Sequence, residues 1–294
     1  MKTRTQSTLI GLLAIVLWSA IVGLIRGVAE HFGATGGAAL IYTLASILLW
    51  LSVGLGNLRT FPRPYLLWGS VLFVCYELCL ALSIGWAHSH QQAIEVGMVN
   101  YLWPAFTMLC AIVFNGQRAN WLIVPGLMVS LTGIGYVLAG DAGLQLAGMV
   151  ENIADNPYSY GLALLGAVLW AAYCTLTARI AKGSNGITLF FMLSAAVFWL
   201  QYFAWGASPL VFDAPALLKL GLAAAAMGLG YAAWNVGILH GNMTILAGAS
   251  YFTPVLSAAL AAWMLHTSLT LTFWQGVAMV STGSILCWLS MSKS

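Results

Sequence analysis

The sequence predicts an all-α membrane protein with ten transmembrane helices, arranged as two inverted five-helix repeats around a central cavity. Three observations predict this. Of 294 residues, 61% are hydrophobic and 6% are charged, whereas soluble domains carry about 25% charged residues. So few charges cannot build a water-facing surface, so lipid must be the solvent. The apolar residues form long runs, such as Thr8 to Leu24, rather than the alternation of a barrel strand. Finally, short sequence patterns from the first half return in the second about 150 residues later.

A spanning helix needs about 20 residues. Ten such segments can be placed, at 7–28, 35–55, 65–86, 92–114, 120–140, 158–181, 187–206, 215–238, 244–265 and 268–290. The first begins after Lys2 and Arg4 and superficially resembles a signal peptide. It is long, and no Ala-x-Ala-like site precedes a soluble domain, so it is read as the first span. The third and fourth spans are separated by Ala87-His88-Ser89-His90, and the ninth and tenth by His266-Thr267.

Charge sets the orientation. With the N-terminus inside, the cytoplasmic ends hold Lys2, Arg4, Arg59, Arg63, Arg118, Arg179, Lys182 and Lys293. Only Arg26 and Lys219 remain near the other side, and Glu30, Asp141, Glu151, Asp155 and Asp213 lie there. Basic residues concentrate on the cytoplasmic side of membrane proteins. Both termini are therefore expected in the cytoplasm.

The repeat divides the chain. Ala14 to Ala20 matches Gly166 to Ala172 at an offset of 152. Asn100-Tyr101-Leu102-Trp103-Pro104 matches Ser250-Tyr251-Phe252-Thr253-Pro254, and Thr132-Gly133 matches Thr282-Gly283, both at 150. Tyr76 pairs with Tyr231 at 155. The expected units are 1–140, an extracytoplasmic connector at 141–157, and 158–294. Five helices are an odd number, so the second copy enters the membrane from the opposite side, as in many transporters.

Polar and aromatic residues within the spans mark the candidate site. Glu77 lies midway along the third span and Glu95 in the outer part of the fourth. A charge at the bilayer centre costs at least about 2.5 kcal/mol, so such acids face a cavity or a partner. Glu77 has two readings, binding an amine or proton and fixing helix packing; for Glu95 packing is favoured. His88, His90, Gln91 and Gln92 read as surface polarity outside the membrane.

Among thirteen tryptophans, Trp68, Trp205 and Trp288 fit interfacial belts. Trp18, Trp103, Trp170 and Trp234 lie deeper, with Tyr76, Tyr101, Tyr173, Tyr231 and Tyr251. Rings grouped around a cavity offer flat apolar walls with a few donors. Such walls suit a zwitterion with an aromatic or hydrophobic side chain, and they also stack on an organic cation. Asn100 and Asn235 add neutral polarity that either binds a ligand or bridges helices. Pro104 and Pro254, at equivalent repeat positions, are expected hinges because proline bends helices. Gly23-x-x-x-Gly27 and Gly237-x-x-x-Gly241 have the spacing for close intramolecular packing. The five cysteines, Cys75, Cys79, Cys110, Cys174 and Cys287, all lie in apolar runs and read as small packing residues.

The ten spans in two halves, the Leu17-Trp18 and Leu169-Trp170 pairs, and the Asn100-Tyr101-x-x-Pro104 and Ser250-Tyr251-x-x-Pro254 motifs resemble the drug/metabolite transporter superfamily of the EamA type. The resemblance covers essentially the whole chain. Within that group it is nearest to the exporters of aromatic amino acids of bacterial inner membranes. It implies a ten-helix basket in which helices 1, 3, 4, 6, 8 and 9 line a central cavity and helices 5 and 10 support it from outside. It also implies alternating access, and cavity-lining roles for Trp18, Tyr76, Glu77, Tyr101, Trp103, Trp170, Tyr173, Tyr231, Trp234 and Asn235. The small multidrug pumps, more distant relatives, carry an acid in their first helix; here none precedes Glu30.

Export of aromatic and other hydrophobic amino acids is therefore expected, and efflux of flat organic cations is the alternative. The expected partners are the small-molecule substrate and membrane lipid, with the monomer as the functional unit. A net charge of +3 excludes a nucleic-acid partner. No cofactor or metal site is expected. The chain has no His-Glu-x-x-His, no Gly-x-Ser-x-Gly and no paired intramembrane aspartates, which argues against an enzyme.

Overall fold

The computed structural model describes residues 3–139, 146–205 and 209–291. Among these residues it is helical, without a named strand; one isolated bridge joins Ala119 and Met291. The first half contains α1 (Arg4–Ser19), α2 (Ile21–Phe32), α3 (Ala34–Ser52), α4 (Ser70–Gly85), α5 (His90–Asn100), α6 (Trp103–Asn115) and α7 (Ile123–Leu138). A connector helix, α8 (Leu146–Asp155), leads to α9 (Pro157–Ile180), α10 (Ile187–Ala204), α11 (Ala214–His240), α12 (Met243–Ser250), α13 (Thr253–Met264) and α14 (Leu271–Ser290).

Among the described residues, six helical stretches are long and apolar enough to cross a bilayer, and the α1–α2 pair, bent by 43°, makes a seventh when taken as one span. The chain is thus an α-helical, multi-pass membrane protein. Three of the ten expected spans fall on segments less plainly able to cross. The fifth is α7, with 16 residues. The ninth is broken between α12 and α13. The tenth, α14, has 20 residues but carries Thr272, Gln275, Ser281, Thr282 and Ser284.

Where the sequence predicts continuous helices at 7–28, 92–114 and 244–265, the structure has breaks at Ala20, at Tyr101-Leu102 and at Tyr251-Phe252. The last two have one cause. Proline lacks an N–H, and its ring clashes with the carbonyl four residues earlier. For Pro104 and Pro254 those residues are Asn100 and Ser250, the last of α5 and α12. Each proline then sits in the first turn of the next helix, where a missing N–H costs nothing.

Glycine sets the closest helix approaches. A Cβ built on Gly133 in α7 would lie 2.8 Å from the Gly276 carbonyl oxygen of α14. One on Gly276 would lie 2.6 Å from the Gly133 oxygen, so the two backbones touch. Gly11 in α1 and Gly237 in α11 meet similarly, a Cβ on Gly237 falling 2.7 Å from Gly11 Cα. Gly23 packs on Met264 and Ala261, and Gly27 on the Lys219 side chain. Between bilayer helices van der Waals contact replaces the hydrophobic drive, and small residues permit it.

The fully buried aromatic core, Tyr42, Phe73, Phe190, Phe191 and Phe198, lies where α3, α4 and α10 meet. Leu51, Trp121, Phe203, Trp205 and Trp263 are strongly exposed, as lipid-facing side chains must be.

Candidate functional site

A cavity of about 300 Å³ opens between the helices. Its wall comes from α1 and α2 (Trp18, Ile21, Val22), α4 (Tyr76, Leu80), and α5 with α6 (Gly97, Asn100, Tyr101, Trp103). The second half supplies Trp170 and Cys174 from α9, Met227, Tyr231 and Trp234 from α11, and Ser250 and Thr253 at the α12–α13 break. α3, α7, α10 and α14 contribute no lining residue.

The rings form a connected set. Trp170 lies 4.5 Å from Tyr76 and 6.3 Å, edge-on, from Trp103, centroid to centroid. On the other side Trp18 lies 5.1 Å from Tyr231 and 5.3 Å from Trp234. Tyr231, 6.4 Å from Trp170, joins the two groups. Offset and edge-to-face contacts of this kind are favoured by about 0.5–1.5 kcal/mol each.

Three residues expected on the wall stand elsewhere. Tyr173 stacks behind Trp170 at 5.1 Å and meets Phe73 at 5.5 Å. Asn235 is half-buried, next to Trp234 but off the wall. Glu77 is fully buried behind it. Its Oε2 accepts from Tyr42 Oη at 2.5 Å and its Oε1 from Tyr231 Oη at 3.3 Å. The acid thus holds a wall ring from behind and ties α11 to α3.

Glu95 is also buried, at 2% exposure. It accepts hydrogen bonds from Gln91, Asn152 and Tyr160 at 3.0, 2.8 and 2.6 Å, so it fastens α5 to α8 and α9. Nearby polar residues also link elements. His90 Nε2 stands 2.6 Å from Glu30 Oε1 and His90 Nδ1 2.9 Å from the Leu265 carbonyl. Arg26 binds Glu30 at 3.1 Å. On the connector, hydrogen bonds from Gln92 and from His88, which stands 3.0 Å away, hold the Asp155 carboxyl below its ordinary range.

Ile21, Val22, Leu80, Gly97, Cys174, Met227, Ser250 and Thr253 also line the wall and are not among the residues the sequence marks for it. Asn100 bridges helices, its Nδ2 donating to the Ala163 carbonyl at 3.3 Å, and it also lines the cavity. The recurrence of short sequence patterns at an offset of 150 carried a signal for two of the others: Asn100 and Trp103 line the cavity, and the residues 150 positions on are Ser250 and Thr253.

A multi-pass helical membrane protein with an aromatic-walled cavity among its helices is the class defined by this fold and site. No family model matches the chain. It is 58% identical over 291 residues, 99% of either chain, to the aromatic amino acid exporter YddG of Salmonella typhimurium (strain 14028s / SGSC 2262). The identity and coverage are the same with the aromatic amino acid exporter YddG of Escherichia coli (strain K12). Over 265 residues, 88% of either chain, it is 27% identical to the aromatic amino acid exporter YddG of Ancylobacter novellus. A crystal structure of a protein with 24% identity superposes with a TM-score of 0.67, covering 98% of this chain and 99% of its own, which supports the fold alone. The chain belongs to the YddG family of EamA-type exporters, in the drug/metabolite transporter superfamily.

Proposed function

We propose that this protein exports aromatic and other hydrophobic amino acids across the bacterial inner membrane by alternating access, acting as a monomer. The observation that carries the substrate class is the wall of the cavity. Trp18, Tyr76, Tyr101, Trp103, Trp170, Tyr231 and Trp234 surround a space sized for one side chain, and no charged residue is on the wall among the described residues. Burying a large apolar side chain is worth about 1.5–3 kcal/mol. The names of the relatives at 58% identity agree with this class.

The organisation behind it is ten spans with both termini cytoplasmic, 1–140 and 158–294 as inverted repeats, and 141–157 as an extracytoplasmic connector. Helix partnerships support it. α3 packs on α10 and α7 on α14, pairing each second or fifth span with its repeat counterpart. The α1–α11 packing is mirrored by α4–α9, which are the first-with-eighth and third-with-sixth contacts. Swapping the conformations of two such halves carries a central site from one face to the other. Pro104 and Pro254, each just past a break, are the hinges.

Efflux of flat organic cations is the weaker reading, because Glu77, the acid such a cation would use, stands behind Tyr231 rather than on the wall. Uptake of labelled phenylalanine into proteoliposomes, challenged with tryptophan, threonine and methylated aromatic amines, separates the two. Strong competition by tryptophan and weak competition by the amines is expected. The reverse order would overturn the amino acid assignment.

A further inference from the structure

We propose that the N-terminal end of α13, with the Thr253 hydroxyl, is the subsite that receives the substrate's carboxylate, while the ring cluster of the same cavity takes its side chain. This deepens the amino acid reading and rests on it. A carboxylate entering an apolar cavity must find donors there, because an unpaired buried anion is prohibitively costly. Among the described residues no Lys or Arg lines the cavity, so the donors must be neutral.

Two neutral candidates on the wall are already engaged: Tyr231 Oη donates to Glu77 and Asn100 Nδ2 to the Ala163 carbonyl. Thr253 is different. It lines the cavity, is 8% exposed, and its hydroxyl makes no hydrogen bond among the described residues. Threonines within helices here, such as Thr43, Thr107 and Thr175, donate to the carbonyl four residues back. Thr253 opens its helix just past the break, so its hydroxyl is left for something else.

The backbone adds to it. α13 begins at Thr253, its N-cap Phe252 supplies no side-chain cap, and Pro254 follows. The first N–H groups of a helix have no helical partner and carry the positive end of its dipole, which favours an anion. Broken helices at the membrane midplane present this end to substrate carboxylates in other transporters. The equivalent start of α6 is built differently: Trp103 stands where Thr253 stands, and its ring joins Trp170. The two breaks are therefore unlike, one opening on a hydroxyl and one on an aromatic ring, so the carboxylate and the flat side chain of a zwitterion would meet different surroundings at them.

The test uses purified full-length protein in proteoliposomes. In the wild type, phenethylamine and phenylalaninamide, which lack the carboxylate, should inhibit labelled phenylalanine uptake at concentrations at least about tenfold higher than unlabelled phenylalanine. Thr253→Val should raise the half-saturating phenylalanine concentration about tenfold and leave phenethylamine inhibition unchanged, while Thr253→Ser should resemble the wild type. Equal weakening of both ligands by Thr253→Val, or carboxylate-free analogues that inhibit the wild type as well as phenylalanine does, would overturn the subsite while leaving amino acid export intact. A wild type that moves no amino acid would overturn the functional reading and the subsite with it.

Discussion

At the scale of single residues, Trp170 joins the largest set of rings in the cavity, touching Tyr76, Trp103, Tyr173 and Tyr231 at 4.5–6.4 Å. Truncating it removes stacking area from any flat substrate. Trp170→Ala or Trp103→Ala should weaken tryptophan transport about fivefold, at roughly 1 kcal/mol for the lost ring contact, and threonine transport far less. Half-saturation measurements for the two amino acids check this, and equal losses would assign the rings to helix packing. Glu77 makes a second prediction. Its two oxygens accept from two tyrosines, and a glutamine there would point an amide donor at one of those hydroxyls. Glu77→Gln should therefore destabilise the protein by about 1–3 kcal/mol and Tyr231→Phe by less, read as melting midpoints in detergent. The sequence marked Glu77 as buried and functional or structural. It could not say which, because the deciding partner Tyr42 lies 35 residues away on another helix.

At the scale of elements, α7 and α14 pack backbone to backbone at Gly126, Gly133, Gly276 and Gly283. A side chain at Gly133 has no space, since even its Cβ would press on the Gly276 oxygen and the Val280 nitrogen at 2.8 Å. Gly133→Leu should abolish recovery of monodisperse protein in detergent, whereas Gly161→Leu, where nothing lies within 4 Å of a Cβ, should be recovered normally. The helices were legible as apolar runs. Their breaks were only half legible. Pro104 and Pro254 gave the place of two, but Ala20, between α1 and α2, bears no sequence mark. The pairing of α7 with α14 was likewise hidden, because glycine spacing is common in a chain with 31 of them.

At the scale of the whole molecule, Glu30 of α2, His88 with His90 and Gln92 at the start of α5, Asp155 of α8 and the Leu265 carbonyl just past α13 tie distant parts of the chain together. Asp155 has its pKa lowered by the hydrogen bonds from Gln92 and His88. A carboxyl depressed in the folded state contributes stability above its unfolded value, about 3.9. That contribution is lost as pH falls toward the lowered folded value. Melting midpoints of the wild type should therefore fall more steeply below about pH 4 than those of Asp155→Asn, and the two slopes should match near neutrality. This cluster was legible only as surface polarity, since its partners come from four separate parts of the chain. The cavity itself was better foreseen. Seven of the expected rings line it, Trp18, Tyr76, Tyr101, Trp103, Trp170, Tyr231 and Trp234, all of which stand within apolar runs of the sequence.

Cys174 lines the cavity beside Trp170, which allows occupancy to be read directly. With Cys75, Cys79, Cys110 and Cys287 replaced by alanine, the rate at which a small methanethiosulfonate modifies Cys174 should fall severalfold as phenylalanine is added. The half-effect should match half-saturation of transport, and glycine should give no protection. Modification that proceeds unchanged at saturating phenylalanine, in protein that still transports it, would contradict the claim that this cavity is where the substrate sits.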